Sequence, residues 1–260
     1  MTRDPAGQGQ AAGKRQRRVP FVGPVNFRDI GGYRTDSGRF TRWGLVYRSD
    51  GLHRLTAADL ADYERLGIQT VYDLRGDQER LEKPNPMPSV HVNVESQVPR
   101  HEFEDGSALQ TAMDAENRLR DVYLATLRTG PILFGELLTA LAAPEHLPAV
   151  IHCMGGKDRT GVATALLLST LGVDRATILD DYELTNTSVT AERVDEVRAM
   201  FLSVGMGHGA ATGLLRAPRW ALAEALDWID SEFGSVERYL ATEGRLSSAA
   251  LAALRANLLD

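Results

Sequence analysis

The sequence predicts an α/β fold with an α-helical C-terminal extension. From Val19 onward, short apolar and β-branched runs alternate with stretches compatible with helices, as in layered α/β proteins. From Thr190 onward, nearly every stretch is compatible with a helix. No repeat of fixed period and no interdomain linker divides the 260 residues, which suffice for one large domain or two small ones. A single domain therefore fits the pattern best.

Turn and capping signals mark the first elements. Short β-rich runs on either side of Asp36-Ser37-Gly38 predict a hairpin. Thr56 is a candidate helix N-cap because Asp59 follows three residues later, and Gly67 ends the helix that begins there. A hairpin and a capped helix are thus expected before the first long apolar strand.

Apolar periodicity places the other elements. Strands are predicted at 68–75, 90–94 and 148–153. Helices are predicted near 116–128, 131–142, 159–172, 175–186, 191–202, 219–233, 236–240 and 248–259. A glycine-rich break at 205–213 separates two of the C-terminal helices, and the polar residues 100–115 suit either a mobile loop or ordinary surface.

Composition excludes several classes of protein. A formal net charge of -6 gives no general attraction to nucleic acid. A single cysteine excludes both an internal disulfide framework and a cysteine-rich zinc site. No apolar run is long enough to span a membrane, and residues 1–20 lack the apolar centre of a secretory signal. The cytoplasm is therefore the default location, and export without a cleavable signal is the alternative.

Residues 1–18 form the one clear shift in composition. Five basic residues against one acidic residue give this segment a charge of +4, and it has no apolar side chain large enough to join a core. We interpret residues 1–18 as a disordered basic arm and residues 19–260 as the domain. A solvated tail is the favoured role of the arm, and contact with an anionic membrane or RNA is the alternative.

The only cysteine lies in the stretch HCMGGKDRTG, at 152–161, between an apolar strand and a predicted helix. Such a strand–turn–helix unit binds anions through the turn amides and the helix N-terminus. Gly155 and Gly156 let the backbone curl, and the planar fork of Arg159 can grip two phosphate oxygens. Thr160 can hydrogen-bond the sulfur of Cys153. Together these features favour a thiolate, which is an activated nucleophile.

Three other interpretations of this stretch are weaker. A Walker-type nucleotide loop fails because Ile151 stands where the first glycine is required and Asp158 follows Gly156-Lys157. Sulfur-transfer enzymes also place a cysteine in a strand-to-helix loop, but usually in a tighter one. A purely structural cysteine does not need histidine, two glycines, lysine, arginine and threonine around it.

The stretch resembles the cysteine-x5-arginine signature of protein tyrosine and dual-specificity phosphatases. It is most similar to the bacterial family whose loop is HCxxGKDRTG, including the protein tyrosine phosphatase B subgroup. The similarity covers roughly residues 20–258 and includes matching segments at 26–33, 47–50, 67–75, 180–186 and 219–240. It implies the tyrosine phosphatase fold, with a central, mainly parallel sheet flanked by helices. Apart from the resemblance, the glycine-rich break at 205–213 suggests that the helical extension over 190–260 moves as a lid over the site; an ordinary flexible connection is the equal alternative.

The resemblance implies a two-step hydrolysis of phosphomonoesters. Cys153 attacks phosphorus to give a cysteinyl-phosphate, which water then hydrolyses. Arg159 and the loop bind the phosphate oxygens, so no metal ion and no cofactor is needed. The implied substrate-binding residues are Met154, Gly155, Gly156, Lys157 and Thr160. The implied partners are phosphotyrosine proteins, with phosphoserine, phosphothreonine and phosphoinositides as extensions; the alternative function is a non-catalytic module that recognises phosphorylated partners.

The proton donor to the leaving group is less evident in the sequence. Asp158 lies inside the signature loop, and the resemblance implies a catalytic role, so we predict that it is the general acid; a structural role is the alternative. The acidic residues that follow the 90–94 strand are Glu95, Glu102, Glu104 and Asp105. None of the four falls on the position at which the family can carry a proton donor. Lys157 adds a cation beside the phosphate, as in phosphoinositide phosphatases, although phosphotyrosine peptides alone would also tolerate it.

Several polar residues are expected to support the loop. His152 is predicted to orient the loop. A role as a metal ligand is disfavoured because no second ligand lies at helical spacing from it. A buried polar network, with substrate contact as the alternative, is predicted from residues that mix charges on or beside strands: Asn26, Arg28, Asp29, Arg48, Asp73 and Arg75. Glu79, Arg80 and Lys83 either line the entrance or form a solvated helix face.

Overall fold

A computed structural model describes residues 16–94, 112–188, 190–203 and 216–260. In this part of the chain, five strands form one sheet in the order β1-β2-β5-β3-β4. The strands are β1 (Arg28–Asp29), β2 (Val46–Ser49), β3 (Thr70–Asp73), β4 (Val90–His91) and β5 (Ala149–His152). Only β1 runs antiparallel to its neighbour. The mainly parallel sheet expected from the sequence is confirmed.

Helices cover both faces of the sheet. They are α1 (Ala57–Arg65), α2 (Asp77–Glu82), α3 (Ala112–Thr129), α4 (Pro131–Leu141), α5 (Asp158–Thr170), α6 (Arg175–Ser188), α7 (Ala191–Ser203), α8 (Arg219–Phe233), α9 (Val236–Thr242) and α10 (Ser248–Leu258). The predicted helices are confirmed, and α2 is an addition. The strand predicted at 90–94 is shorter than expected, since only its first two residues pair with β3. The break at 205–213 and most of residues 100–115 fall outside the described ranges.

Local signals set the first boundaries as predicted. Gly38 adopts φ +82° in the hairpin turn, and the Thr35 amide donates to the Arg39 carbonyl at 2.8 Å. Thr56 and Asp59 form a reciprocal capping box at the start of α1. No helix among the described residues is long and apolar enough to cross a membrane.

Alternating side chains of the strands separate two apolar clusters. On β5, Val150 faces a small cluster with Phe27 and Tyr63, whereas Ile151 faces a large one. Helices α3, α4, α5, α8, α9 and α10 all contribute to the large cluster. The C-terminal helices therefore share their core with the helices nearest the sheet, and α5 is buried almost throughout.

The parallel register aligns the strand ends. Ser49 of β2, His152 of β5 and Asp73 of β3 lie side by side. The carboxyl edge of a parallel sheet is where α/β proteins place their ligands. The segment that follows His152 therefore begins at the position where a site is expected.

Arg17 and Arg18, predicted to belong to a disordered arm, contact the rest of the domain. Arg17 Nη1 donates to the carbonyls of Asp29 and Gly31, both at 2.7 Å. Its guanidinium lies 3.9 Å from the centre of the Tyr33 ring, and Arg18 pairs with β1. Stacking and carbonyl contacts that lie far away in sequence thus hold Arg17 and Arg18, whereas residues 1–15 are not described.

Asp59 ties the N-terminal segment to α1. Its buried carboxylate accepts hydrogen bonds from the amides of Val22 at 2.7 Å, Gly23 at 3.0 Å and Thr56 at 2.9 Å. Burial alone would raise the pKa of Asp59, but these backbone hydrogen bonds hold that pKa below its usual range. The carboxylate therefore stabilises the fold in its ionised form.

Asp59→Asn is expected to lower the free energy of unfolding at pH 7 by about 1–3 kcal/mol, because donors are left facing an amide. A depressed folded-state pKa stabilises the protein above the unfolded value of about 3.9 and loses that contribution as the pH falls through the folded value. Urea titrations at pH 7 and pH 3 should show the difference from wild type shrinking in acid. Asp62→Asn, an exposed change on the same helix, is the control; equal effects of the two at pH 7 would contradict the assignment.

Candidate active site

The loop between β5 and α5 closes over the end of the sheet. Cys153 is 2% exposed at its base, and Asp158 is the first residue of α5. Gly156 adopts φ +63°, and a Cβ there would lie 2.5 Å from the Ser49 carbonyl oxygen, so this position requires glycine. Gly155 is different: a Cβ there would meet nothing within 4 Å. The curl of the loop thus depends on one of the two glycines.

Two buried side chains that donate hydrogen bonds to loop carbonyls fix the orientation of the loop peptides. Asn26 Nδ2 donates to the carbonyls of Gly155 at 3.3 Å and Gly156 at 3.1 Å, and Arg48 Nη2 donates to Gly156 at 2.8 Å. In a trans peptide the N–H points opposite to the C=O. The amides of Gly156 and Lys157 therefore point away from these donors, as an anion-binding loop requires.

A buried ion cluster holds Arg48 in place. Asp181 of α6 accepts from Arg28 Nε at 3.1 Å and from Arg48 Nη1 at 2.6 Å. Tyr33 Oη also donates to Asp181, at 2.9 Å. Burial would raise the pKa of Asp181, but the two arginines hold it well below its usual range, and burial lowers the pKa of Arg48 to about 10. At pH 7 the two arginines and one carboxylate leave one positive charge beneath the loop.

Asp181 is a supporting residue that sequence reasoning missed. Two signals pointed to it: its place in the matching segment 180–186, and its position on a helix face that also carries the apolar Ile178 and Tyr182. Asp29, predicted to belong to the network under the loop, lies on β1, two strands away from β5. Its carboxylate accepts from the amides of Gly31 and Gly44, both at 2.7 Å. It therefore stabilises the turns around β1.

A second network sets the orientation of His152. Arg75 binds the Asp73 carboxylate and donates to Asn85 Oδ1 at 3.0 Å. Asn85 Nδ2 in turn donates to Asp73 at 3.1 Å and to His152 Nε2 at 3.0 Å. Since Nε2 accepts, the ring proton lies on Nδ1, which donates to the Cys153 carbonyl at 3.2 Å.

This arrangement makes His152 an orienting group. Burial lowers the pKa of His152 to about 4, so the ring is neutral at pH 7. Both nitrogens are engaged, which leaves neither for a metal ion or for abstracting a proton. Within the described ranges, no group of three or more metal-ligating side chains could hold an ion.

Arg159 is held from one side by Glu79 of α2. Its Nη1 and Nη2 donate to the two carboxylate oxygens at 2.5 and 2.8 Å, and Nη1 also donates to the Leu74 carbonyl at 3.3 Å. Glu79 itself is fixed because it accepts from the Gly76 amide at 2.8 Å. The end of the guanidinium fork is thus occupied, and no described residue takes up the Nε–H and second Nη2–H on its side edge.

The contact of Glu79 with Arg159 gives Glu79 a role different from the two considered for it. It is neither a solvated surface group nor a simple entrance residue, and the only sequence signal was its place three residues after Gly76 at a helix start. Arg80 and Lys83 serve elsewhere: Arg80 Nη1 donates to the Arg75 carbonyl at 3.0 Å, and the Lys83 carbonyl accepts from Arg75 Nη1 at 2.7 Å.

The remaining loop side chains lie at the start of α5. Asp158 Oδ1 accepts from Tyr123 Oη at 2.6 Å and lies 3.1 Å from Lys157 Nζ, which also donates to the Arg216 carbonyl at 2.9 Å. Thr160 Oγ1 is buried and has no hydrogen-bond partner among the described residues. The predicted hydrogen bond from Thr160 to the Cys153 sulfur is therefore not formed.

Met154 completes the loop, since its carbonyl accepts from the Gly51 amide at 3.0 Å. The four acidic residues considered as alternative proton donors all lie outside the described ranges: Glu95, Glu102, Glu104 and Asp105. Of the acidic side chains the sequence proposed as proton donors, Asp158 is thus the one whose place the structure describes.

Comparison with known proteins identifies the family. The model of the tyrosine phosphatase family matches residues 19–260. The chain belongs to this family. It is 31% identical over 282 residues to the triple specificity protein phosphatase PtpB of Mycobacterium tuberculosis, covering 94% of this chain and 99% of that protein. The present chain is also 29% identical to a putative tyrosine-protein phosphatase of Cupriavidus necator, over 83% of this chain and 80% of that protein.

A third relative extends the pattern. A tyrosine-protein phosphatase of Nostoc commune is 26% identical over 211 residues, covering 76% of this chain and 68% of that protein. The resemblance stated from the HCxxGKDRTG loop is therefore confirmed, and with it the fold class and the phosphatase activity. The alternative of a non-catalytic phosphate-binding module is disfavoured.

Glu79→Gln is expected to lower kcat/KM for p-nitrophenyl phosphate roughly 10–100-fold, because a neutral amide cannot hold both guanidinium nitrogens. Steady-state kinetics of the purified variant measure this. Glu82→Gln, a change of the same kind on the same helix, is the control and should behave as wild type. Equal kcat/KM in the two variants would show that the contact with Arg159 is unimportant.

Proposed function

We propose that this phosphatase hydrolyses phosphomonoesters through a cysteinyl-phosphate intermediate on Cys153. The observation that carries the proposal is the placement of Arg159. Glu79 occupies the end of its guanidinium fork, and the side edge, with two N–H groups, is left for two phosphate oxygens. Cys153 lies at the base of the loop that leads into the same helix, beside the loop amides and the helix N-terminus.

In the first step, the Cys153 thiolate attacks phosphorus. The S–P bond forms as the bond from phosphorus to the ester oxygen breaks, and Asp158 donates a proton to the departing oxygen. The loop amides from Met154 to Thr160 and the side edge of Arg159 bind the phosphate oxygens as negative charge builds up on them. The residual positive charge of the Arg28, Arg48 and Asp181 cluster acts in the same direction.

In the second step, a water molecule attacks the cysteinyl-phosphate. Asp158, now a carboxylate, accepts a proton from the water, the S–P bond breaks, and phosphate leaves with Cys153 again a thiolate. The same side chain thus serves as acid and then as base. At the end of the cycle Asp158 carries the proton needed for the next first step.

The proposed substrates are phosphotyrosine proteins, extended to phosphoserine, phosphothreonine and phosphoinositides. Two observations support the wider range. The relative in M. tuberculosis is named a triple specificity phosphatase. Lys157 also places an ammonium group in the loop, 9% exposed, where a second anionic group of a substrate adds to the attraction.

Cys153→Ser is expected to lower kcat for p-nitrophenyl phosphate by on the order of 10³-fold or more, because a serine hydroxyl here has no base to ionise it. The control is phosphate binding, measured as the rise in Tm with added phosphate, which should persist in the variant. Activity close to wild type would exclude Cys153 as the nucleophile.

Asp158→Asn should slow poor leaving groups by about 10²–10⁴-fold and activated ones much less, since only the former need a proton in the transition state. The measurement is kcat across aryl phosphates of increasing phenol basicity. Asp180→Asn, an exposed change on α6, serves as the control. One constant factor for all leaving groups would contradict the general-acid role.

A further inference from the structure

Two buried tyrosines form a hydroxyl chain that ends on Asp158. Tyr182 Oη of α6 lies 2.5 Å from Tyr123 Oη of α3, and Tyr123 Oη lies 2.6 Å from Asp158 Oδ1. Both side chains are 1% exposed, and their rings meet edge to face at 6.3 Å between centroids. Neither residue is among those the loop signature implies for catalysis.

The direction of the hydrogen bonds in this chain follows from the chemistry of its end. An ionised Asp158 can only accept, so the Tyr123 hydroxyl donates to it, and Tyr123 Oη in turn accepts from Tyr182. Burial, then the nearby Asp158 carboxylate, raises the pKa of Tyr123 well above its usual value. Tyr123 therefore remains a hydrogen-bond donor at any pH at which the enzyme works.

The two oxygens of Asp158 differ in their surroundings. Oδ1 faces two donors, Tyr123 Oη at 2.6 Å and Lys157 Nζ at 3.1 Å. No described residue hydrogen-bonds to Oδ2. A proton on Oδ1 would displace one of these donors, whereas a proton on Oδ2 displaces none. Oδ2 is therefore the oxygen that carries the transferable proton.

We propose that Tyr123, held in turn by Tyr182, is a positioning residue that fixes the Asp158 carboxyl so that Oδ2 delivers the proton to the leaving oxygen. This inference rests on the proposed general-acid role of Asp158. Both tyrosines come from helices that pack against α5, so the direction of the acid depends on the seating of α3 and α6 as well as on the loop itself.

The test measures kcat and KM of Tyr123→Phe, Tyr182→Phe and Tyr239→Phe across aryl phosphates of increasing phenol basicity. Tyr239 is the matched control, because its buried hydroxyl donates at 2.6 Å to the Leu127 carbonyl of α3, away from the loop. We expect Tyr123→Phe to lower kcat for the most basic phenols by about 10–100-fold, with little change for activated esters and in KM. Tyr182→Phe should show the same trend more weakly, and Tyr239→Phe no change in trend.

A double-mutant comparison separates positioning from a general loss of packing. In an Asp158→Asn background, Tyr123→Phe should have no further effect on the dependence on the leaving group. An effect that persists there, or one constant factor for every ester, would overturn the inference. If Tyr123→Phe does not fold, Tyr182→Phe decides by the same trend, since it keeps the direct bond from Tyr123 to Asp158.

The failure of this inference is distinguishable from that of the proposed function. If Asp158→Asn depends on the leaving group and neither tyrosine variant does, the positioning role is wrong and the general acid stands. If Asp158→Asn shows no such dependence, both are wrong. Urea unfolding of each variant checks that Tyr239→Phe and Tyr123→Phe lose comparable stability.

Discussion

The pairing of the Asp181 carboxylate with two arginines is the interaction on which the loop between β5 and α5 depends. Arg28 and Arg48 are 2% and 1% exposed, so three charges have been removed from water. Such clusters commonly contribute little net stability, because desolvation offsets the attraction. Here the cluster fixes an orientation. Arg48 binds Asp181 through Nη1 and donates to the Gly156 carbonyl through Nη2. The Lys157 amide, in the same peptide as that carbonyl, therefore points the opposite way.

Carboxylates also orient the other two arginines at the site. Asp73 orients Arg75, which with Asn85 sets the tautomer of His152, and Glu79 orients Arg159. Each guanidinium is directed by a carboxylate. Arg159 differs in one respect that matters for function, because its partner occupies only the end of the fork. Its side edge has no partner among the described residues, and this is the edge proposed to bind two oxygens of the substrate phosphate.

Local chemistry made much of the fold predictable. The capping box of Thr56 and Asp59 and the strands around β3 and β5 follow from residues close together in sequence. The ends that depend on distant contacts were less predictable. β4 stops after two paired residues, and Arg17 is held by the Tyr33 ring and by the carbonyls of Asp29 and Gly31. Nothing in the basic composition of residues 1–18 reveals such a contact.

The sequence by itself predicted the proposed reactive centre: one cysteine, the glycine that the turn requires, and Arg159 six residues after the cysteine on the first turn of a helix. That spacing is short enough for backbone geometry alone to bring the groups together. Only the tertiary structure decided what holds them, since Glu79, Asp181 and Tyr123 reach the site from positions 80, 133 and 35 residues away from their partners. Apolar side chains of α3 and α6 pack into the large cluster and so bring in Tyr123 and Asp181. Helix α2 buries no residue, and Glu79 is placed by its contacts with the Gly76 amide and Arg159.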